Sequence, residues 1–126
     1  MTVDGRAALA EAKARLDTLA WWPRPVSLRG VRLITAPWVF RLPWVRRFDG
    51  YATWRLILLR APLSRVSGDL VTHELCHVWQ MQHRPLRMPL SYLVRGYENN
   101  PYERQARAAA SLTSERAGVP ASGSGS

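Results

Sequence analysis

Residues 69–82 read Asp-Leu-Val-Thr-His-Glu-Leu-Cys-His-Val-Trp-Gln-Met-Gln, and this stretch decides the fold of the 126-residue chain. Apolar residues recur there at helical spacing and predict a helix with one strongly apolar side: Leu70, Leu75, Val78 and Trp79. The same stretch contains the pattern HExxH, from His73 to His77. Because residues four apart lie one helical turn above each other, both imidazoles project from one face and could bind a single metal ion.

Glu74 supplies the acidic residue of this pattern. It is rotated by about 100° from His73 around the helix, which brings its carboxylate beside a metal, where it can polarise a bound water. A chance HExxH in a chain of this length has odds of well under about 1 in 100. The alternative is an ordinary helix that carries two surface histidines.

A catalytic zinc site usually has three protein ligands and a water, so a third ligand is required. Glu103 lies on a predicted final helix and would complete a His₂Glu set. Small residues follow it and would let that helix approach the HExxH helix closely: Ala106, Ala109 and Ala110. An alternative role exists for Glu103, because with Asn100 as N-cap it falls at the third helical position of a capping box. Glu98 is the fallback carboxylate.

His83 is the competing third ligand. It follows His73 by ten residues, the spacing of the last histidine in HExxHxxGxxH, but Gln80 stands where that pattern has glycine. A helix that continues through Gln82 carries His83 roughly 9 Å along the axis from His77, too far to reach the same ion. The spacing therefore favours Glu103.

Residues 73–82 and 100–106 together resemble the small zincin-like metallopeptidases. Their pattern is a HELxHVxQ helix followed by NPxExxA, as in the core-domain family associated with extracellular contractile injection systems. The resemblance covers residues 70–110 well and the preceding strands loosely. It implies that His73 and His77 bind Zn²⁺, that Glu74 is the general base, that Glu103 is the third ligand, and that the substrate is a peptide or protein. The chain departs from the pattern at Cys76, often threonine or valine, and at Gln105, often a second glutamate.

Around this motif the sequence predicts an α+β fold, a minimal zincin-like domain over residues 1–117 followed by a flexible tail over 118–126. The domain has an N-terminal helix, a small twisted sheet, the HExxH helix and a C-terminal helix that carries the third ligand. The predicted elements are a helix over 4–20, a strand around 31–34, a turn at 48–51, a strand over 53–60, a helical turn over 90–96 and a helix from 101 to about 116. The strand over 53–60 has apolar residues on both faces, which is typical of a sheet interior.

Composition excludes several classes of protein. Hydrophobic residues make up 47% of the chain and charged residues 21%, which is incompatible with wholesale disorder. The longest aliphatic run, residues 56–59, is too short to span a bilayer. A single cysteine, Cys76, cannot form an internal disulfide, and we expect it to be buried rather than to bind metal. Since no secretory signal is visible at the N-terminus, we expect a cytoplasmic domain.

The net charge is +9, and seventeen of the eighteen basic residues are arginines. Six tryptophans are interleaved with them and could stack on nucleobases, lie at a membrane surface, or form the core and rim of a small domain. Two alternatives to a hydrolase therefore stay open. One is a DNA-associated protein, including a protease that acts on DNA-bound proteins, and the other is a non-catalytic interaction module stabilised by a metal.

Further residues could assist a hydrolytic site. Candidates to stabilise an oxyanion lie between the two ligand-bearing segments or just after them: Tyr92, Arg95, Tyr97 and Tyr102. Asp69 could orient His73 or cap the helix N-terminus, and the cap is the favoured prediction. The strand over 53–60 could offer its edge to an extended peptide.

Overall fold

The computed structural model describes the backbone of residues 3–118 and the side chains of residues 4–114. In chain order its helices and strands are α1 (Val3–Leu16), β1 (Arg32–Thr35), β2 (Gly50–Ala52), β3 (Leu56–Leu59), α2 (Gly68–His83), α3 (Arg87–Arg95) and α4 (Pro101–Gly118). This architecture confirms the predicted α+β class. Of the predicted tail, only Gly118 lies within the described residues, where it ends α4.

The sheet has the strand order β1-β3-β2, with β1 parallel to β3 and β2 antiparallel to it. Residues alternate between the core and the opposite face along β3, and Ile57 and Leu59 are buried. The central position of β3 explains why its sequence is apolar on both faces. The prediction that this strand offers an edge to a peptide is wrong, because both of its edges are already paired.

The chain reversal before β3 lies later than predicted. Gly50 begins β2 rather than closing a turn, and the reversal falls at residues 53–55. There the Thr53 hydroxyl accepts a hydrogen bond from the Leu56 backbone N–H at 3.1 Å, and the Thr53 N–H donates to the Leu56 carbonyl at 2.8 Å. Because Thr53 closes this turn, the strand predicted over 53–60 is confined to Leu56–Leu59.

Helix α1 ends at Leu16, four residues before its predicted end. The Asp17 N–H still bonds four residues back, to the Lys13 carbonyl at 2.8 Å, but the following two bond three residues back, Thr18 to Arg15 at 3.2 Å and Leu19 to Leu16 at 2.9 Å. The Thr18 hydroxyl also donates to the Arg15 carbonyl at 2.7 Å, which competes with continuation of the helix. The tighter turn directs Leu19 into the core, where it is buried.

Helix α2 is the central element of the core. The side chain of Ser67 caps it by accepting a hydrogen bond from the Leu70 N–H at 3.1 Å. The prediction of Asp69 as the cap is therefore wrong, and Asp69 instead accepts a bond from Arg15 of α1 at 2.7 Å. The core around α2 is formed by α1, α4 and the sheet, with Leu9, Leu16, Ile57, Leu75 and Trp79 among its buried residues.

Helices α3 and α4 follow α2 directly. Helix α3 is longer than the helical turn predicted over 90–96. The Asn100 side chain accepts a hydrogen bond from the Tyr102 N–H at 2.9 Å, as expected of an N-cap at the start of α4. Ala106 and Ala109 are fully buried and let α4 lie close to α2. None of the helices in the described part of the chain is both long and apolar enough to cross a bilayer.

Candidate metal centre

Three side chains converge between α2 and α4. The Nε2 atom of His73 lies 2.9 Å from Oε2 of Glu103, and the Nε2 atom of His77 lies 2.9 Å from Oε1 of the same carboxylate. One ligand atom from each of the three residues lies within 4.8 Å of the other two, so the group could hold a metal ion. The structure thus brings together the three residues predicted as ligands, although they are up to thirty positions apart.

Glu103 is almost completely buried, with 1% of its surface exposed. Its carboxylate faces the two imidazoles, and Asn100 alone supplies the side-chain cap at the start of α4. Burial raises the pKa of Glu103, but hydrogen bonds from His73 and His77 outweigh burial and hold that pKa well below its ordinary value. A buried carboxylate that stays ionised beside two imidazoles has the chemistry of a metal ligand.

Glu74 lies between α2 and the edge strand β2. A Cβ atom at Gly50 would be only 3.1 Å from Glu74 Cγ and 3.2 Å from its Oε2, so the absence of a side chain at Gly50 makes room for this carboxylate. Burial raises the pKa of Glu74, while the neighbouring His77 and His73 partly oppose this effect. The predicted base is therefore held in a buried position at the same cleft as the ligand cluster.

Gln80 orients His77 from behind. Its Nε2 donates to the Tyr102 carbonyl at 2.8 Å and to Gln105 Oε1 at 2.9 Å, so its own Oε1 must be the atom that faces His77 Nδ1 at 2.9 Å. Trp22 donates to the same Gln105 oxygen at 3.1 Å and holds that amide in turn. This arrangement places a proton on Nδ1 and directs the lone pair of Nε2 toward the ligand cluster.

The same arrangement explains the charge on His77 when only protein groups surround it. With Nδ1 donating to Gln80, the contact between Nε2 and Glu103 is a donor–acceptor bond only if Nε2 also carries a proton. Burial lowers the pKa of His77. The hydrogen bond to Glu103 and the charges of Glu74 and Glu103 together raise the pKa by more than burial lowers it, so the net shift is upward. A cation is therefore favoured at this point, either a proton or a metal ion.

Two tyrosines and an arginine complete the surroundings of Glu103. Tyr97 donates to its Oε2 at 2.9 Å, and Tyr92 donates to its Oε1 at 3.3 Å. Burial raises the pKa of both tyrosines, so both hydroxyls stay protonated donors. The Nε atom of Arg107 lies 3.4 Å from Oε2, and its guanidinium lies over the Tyr97 ring.

Other predicted residues lie elsewhere. The Nε2 atom of His83 accepts from the Arg24 N–H at 3.2 Å, and its ring stacks on Trp22, so His83 is not part of the cluster. Glu98 is exposed, and so is Arg95 on α3. Tyr102 contributes only its backbone carbonyl, to Gln80. Cys76 is fully buried as expected, and burial raises the pKa of its thiol to about 12.

Sequence reasoning missed Gln80 and Arg107 as members of the site. The signal was present in the spacing, since Gln80 follows His77 by three positions and Arg107 follows Glu103 by four, which places each pair on one helix face. Gln105 was noted only as a departure from the zincin-like pattern. Its role in holding Gln80 depends on how α4 packs against α2, which periodicity does not specify.

The cluster opens into a cleft of about 800 Å³. His73, Glu74, His77 and Glu103 line it together with apolar side chains from three parts of the chain: Trp44, Phe48, Trp54, Met81, Leu86, Met88, Leu90 and Leu93. Past His73 and Tyr97 the surface continues into a more polar cavity of about 610 Å³, where Arg47 and Arg107 are found. The site thus has room for a substrate much larger than a water molecule.

Comparisons of this chain with protein families, with curated proteins and with solved structures found no match. The zincin-like resemblance is therefore carried by the residues of the two motifs alone. It stays a prediction.

Proposed function

We propose that this protein is a zinc-dependent metallopeptidase built on a minimal zincin-like domain. The observation that supports this best is one buried carboxylate, Glu103, within 2.9 Å of both imidazoles of an HExxH helix. Two histidines and one glutamate are the ligand set of one class of catalytic zinc sites. The open cleft beside them supports catalysis over a purely structural site, which would be closed by a fourth protein ligand.

A zinc ion bound by His73, His77 and Glu103 would supply a water of lowered pKa and a Lewis acid for the substrate carbonyl. Glu74 then accepts the proton of the attacking water and delivers it to the leaving amine. Its burial suits this role, because a carboxylate held away from bulk water keeps a proton more readily than an exposed one. Tyr92 and Tyr97 line the same cleft and are the candidate donors to the oxyanion, a role that requires each hydroxyl to turn its one proton away from Glu103.

Substitution of Glu74 separates binding from chemistry. We expect Glu74→Gln to keep its zinc and to lose turnover, by about a hundredfold or more, because the amide cannot accept the proton. We expect His73→Ala to lose both, because a ligand is removed. The measurements are elemental analysis and cleavage of a mixed peptide library by mass spectrometry. Full turnover in homogeneous Glu74→Gln protein would show that Glu74 is not the base.

The same experiment tests one of the other candidate functions, and a DNA-binding assay tests the second. Zinc bound at the cluster without cleavage of any peptide would favour the non-catalytic interaction module. Salt-dependent binding to DNA would favour the DNA-associated protein, and no binding at low salt would dismiss it. A cytoplasmic location is part of the proposal and is supported by the single cysteine, which is free and buried.

A further inference from the structure

Helix α3 carries its apolar side outward. Four exposed aliphatic residues follow the spacing i, i+4, i+7 and i+8: Leu86, just before the helix, 76% exposed, Leu90 55%, Leu93 84% and Val94 77%. The other exposed residues of the helix are Arg87 and Arg95. The inward side includes polar groups, since Tyr92 donates to Glu103 and Ser91 accepts from Asn100. This is the reverse of the usual surface helix, which buries its apolar side. The outward side therefore has the composition of a surface that meets an apolar environment.

Two tryptophans lie across the cleft from this helix. Trp44 is 67% exposed and Trp54 49%, and both line the cleft together with Leu86, Leu90 and Leu93. The indole N–H of Trp54 donates to the Pro85 carbonyl at 2.7 Å, which fixes that ring beside the start of α3. We call these six residues the apolar rim: Trp44, Trp54, Leu86, Leu90, Leu93 and Val94. Five of the six line one cleft, and Val94 follows Leu93 on α3, so they are not scattered singly over the surface.

Arginines lie close to the residues of the apolar rim in the sequence. Each part of the rim is followed within three residues by at least one of them: Arg46 and Arg47 after Trp44, Arg55 after Trp54, Arg87 after Leu86, and Arg95 after Val94. Acidic residues are nearly absent from the same segments, since residues 75–97 contain none and residues 18–68 contain only Asp49. In the structure, Arg87 and Arg95 are exposed on α3 itself, and Arg47 lines the cleft, so these three basic side chains accompany the exposed apolar groups.

We propose that the apolar rim docks on the surface of a lipid bilayer that contains anionic lipids. Tryptophan and leucine side chains partition into the boundary between headgroups and acyl chains, and arginines bind the lipid phosphates while their stems lie along the apolar surface. Single-stranded nucleic acid is the competing partner for exposed tryptophan and arginine. Four of the six rim residues are aliphatic and offer no ring for base stacking, which favours lipid.

Vesicle binding by the full chain tests this inference. Flotation compares vesicles of phosphatidylcholine alone with vesicles in which about one lipid in four is phosphatidylglycerol. We expect binding to the second kind only. Leu93→Asp should weaken it by roughly tenfold or more, whereas the matched variant Leu112→Asp, at an exposed leucine of α4, should bind within about twofold of the parent. Both sites are exposed, so both variants should keep the parental circular dichroism.

A second pair of variants tests the charge. We expect Arg87→Gln/Arg95→Gln to weaken binding by roughly tenfold, and the matched pair Arg6→Gln/Arg104→Gln, on α1 and α4, to have little effect. All assays contain a chelator, so metal binding and turnover play no part in the result. Equal binding to both kinds of vesicle, equal losses in test and control variants, or binding of a single-stranded oligonucleotide without binding of vesicles would each overturn the inference.

Discussion

Each ring nitrogen of His77 has a hydrogen-bond partner, and the two partners lie on opposite sides of the ring. Gln80 accepts the Nδ1 proton at 2.9 Å on one side, and the Glu103 carboxylate lies 2.9 Å from Nε2 on the other. An imidazole fixed in this way cannot rotate, and its Nε2 is directed at the point where the second imidazole and the carboxylate also meet. The geometry of the candidate ligands is therefore set by protein contacts alone, which would lower the free-energy cost of ordering them around an ion.

The first prediction concerns Gln80. Gln80→Met keeps a side chain of similar volume but removes the acceptor of the Nδ1 proton, so we expect zinc affinity to fall by about 10- to 100-fold. Gln82→Met is the matched control, because Gln82 makes two hydrogen bonds to the Ser27 backbone, away from the cluster. Competition with a chromophoric chelator measures both affinities. Similar losses in the two variants would contradict an orienting role for Gln80.

The second prediction concerns the contact between Gly50 and Glu74. Gly50→Ala would place a methyl group 3.1 Å from Glu74 Cγ, and we expect it to destabilise the fold by about 1–3 kcal/mol through overpacking. In a Glu74→Ala background the obstructing atoms are absent, and the same change should be neutral or slightly stabilising, since alanine restricts the unfolded chain. Urea unfolding of the four proteins gives both values. An equal loss in the two backgrounds would mean that Gly50 is needed for another reason.

The four predicted site residues could be found from the sequence because the helical repeat relates them in advance. His73, Glu74 and His77 lie within little more than one helical turn, so their relative directions follow from the period alone. Glu103 lies on a second helix, so the helical period does not relate it to the histidines. It was predicted because a glutamate completes a His₂Glu ligand set. Tyr97 lies in the loop between α3 and α4, where no period fixes its direction, and its bond to Glu103 could be recognised only in three dimensions.

At the scale of the elements, the site depends on the distance between α2 and α4. Ala106 and Ala109 are fully buried in the core that α2 also forms, and Glu103 lies one turn before Ala106. Small side chains permit close approach of the two helix axes. A glutamate side chain of ordinary length can then reach both imidazoles of α2.

The third prediction follows from this packing. Ala106→Leu adds three carbons where no space exists, so we expect a loss of about 1–3 kcal/mol of unfolding free energy together with weaker zinc binding, because Glu103 is displaced. Ala108→Leu, at an exposed position on the same helix, should change stability by no more than about 0.5 kcal/mol and leave zinc binding unchanged. Urea unfolding and zinc titration provide the two measurements. Unchanged zinc affinity in Ala106→Leu would contradict the prediction that zinc binding depends on the close packing of α4 against α2.

The order of the helices and of strands β1 and β3 could be predicted, but β2 was missed, because residues 48–51 were predicted as a turn, and several element ends differ from the prediction. The helix predicted over 4–20 ends at Leu16 because Leu19 is required in the core. Asp49-Gly50 resembles a turn, but the glycine serves the close approach of Glu74 to β2. In both cases a tertiary contact overrides the local preference, and such contacts are not visible in a window of neighbouring residues.

At the scale of the whole molecule, the candidate metal centre and the apolar rim lie at one cleft. The candidate centre lies where α2 and α4 meet near β2, and its cleft is lined also by the two tryptophans and by exposed leucines of α3. Buried acidic groups occupy the bottom of this cleft, while arginines dominate its surroundings in the sequence. The net charge of +9 could be read from composition, but that Arg47 lines the cleft and that Arg87 and Arg95 are exposed beside it required the fold.

The central claim is that His73, His77 and Glu103 bind one catalytic zinc ion. Elemental analysis of protein purified without added metal, alongside the His73→Ala/His77→Ala variant, tests it most directly. We expect about one equivalent of zinc per chain in the parent and none above background in the variant, because a single carboxylate cannot retain the ion. Parent protein free of divalent metal, even after equilibration with zinc, or a variant that retains a full equivalent, would contradict the account.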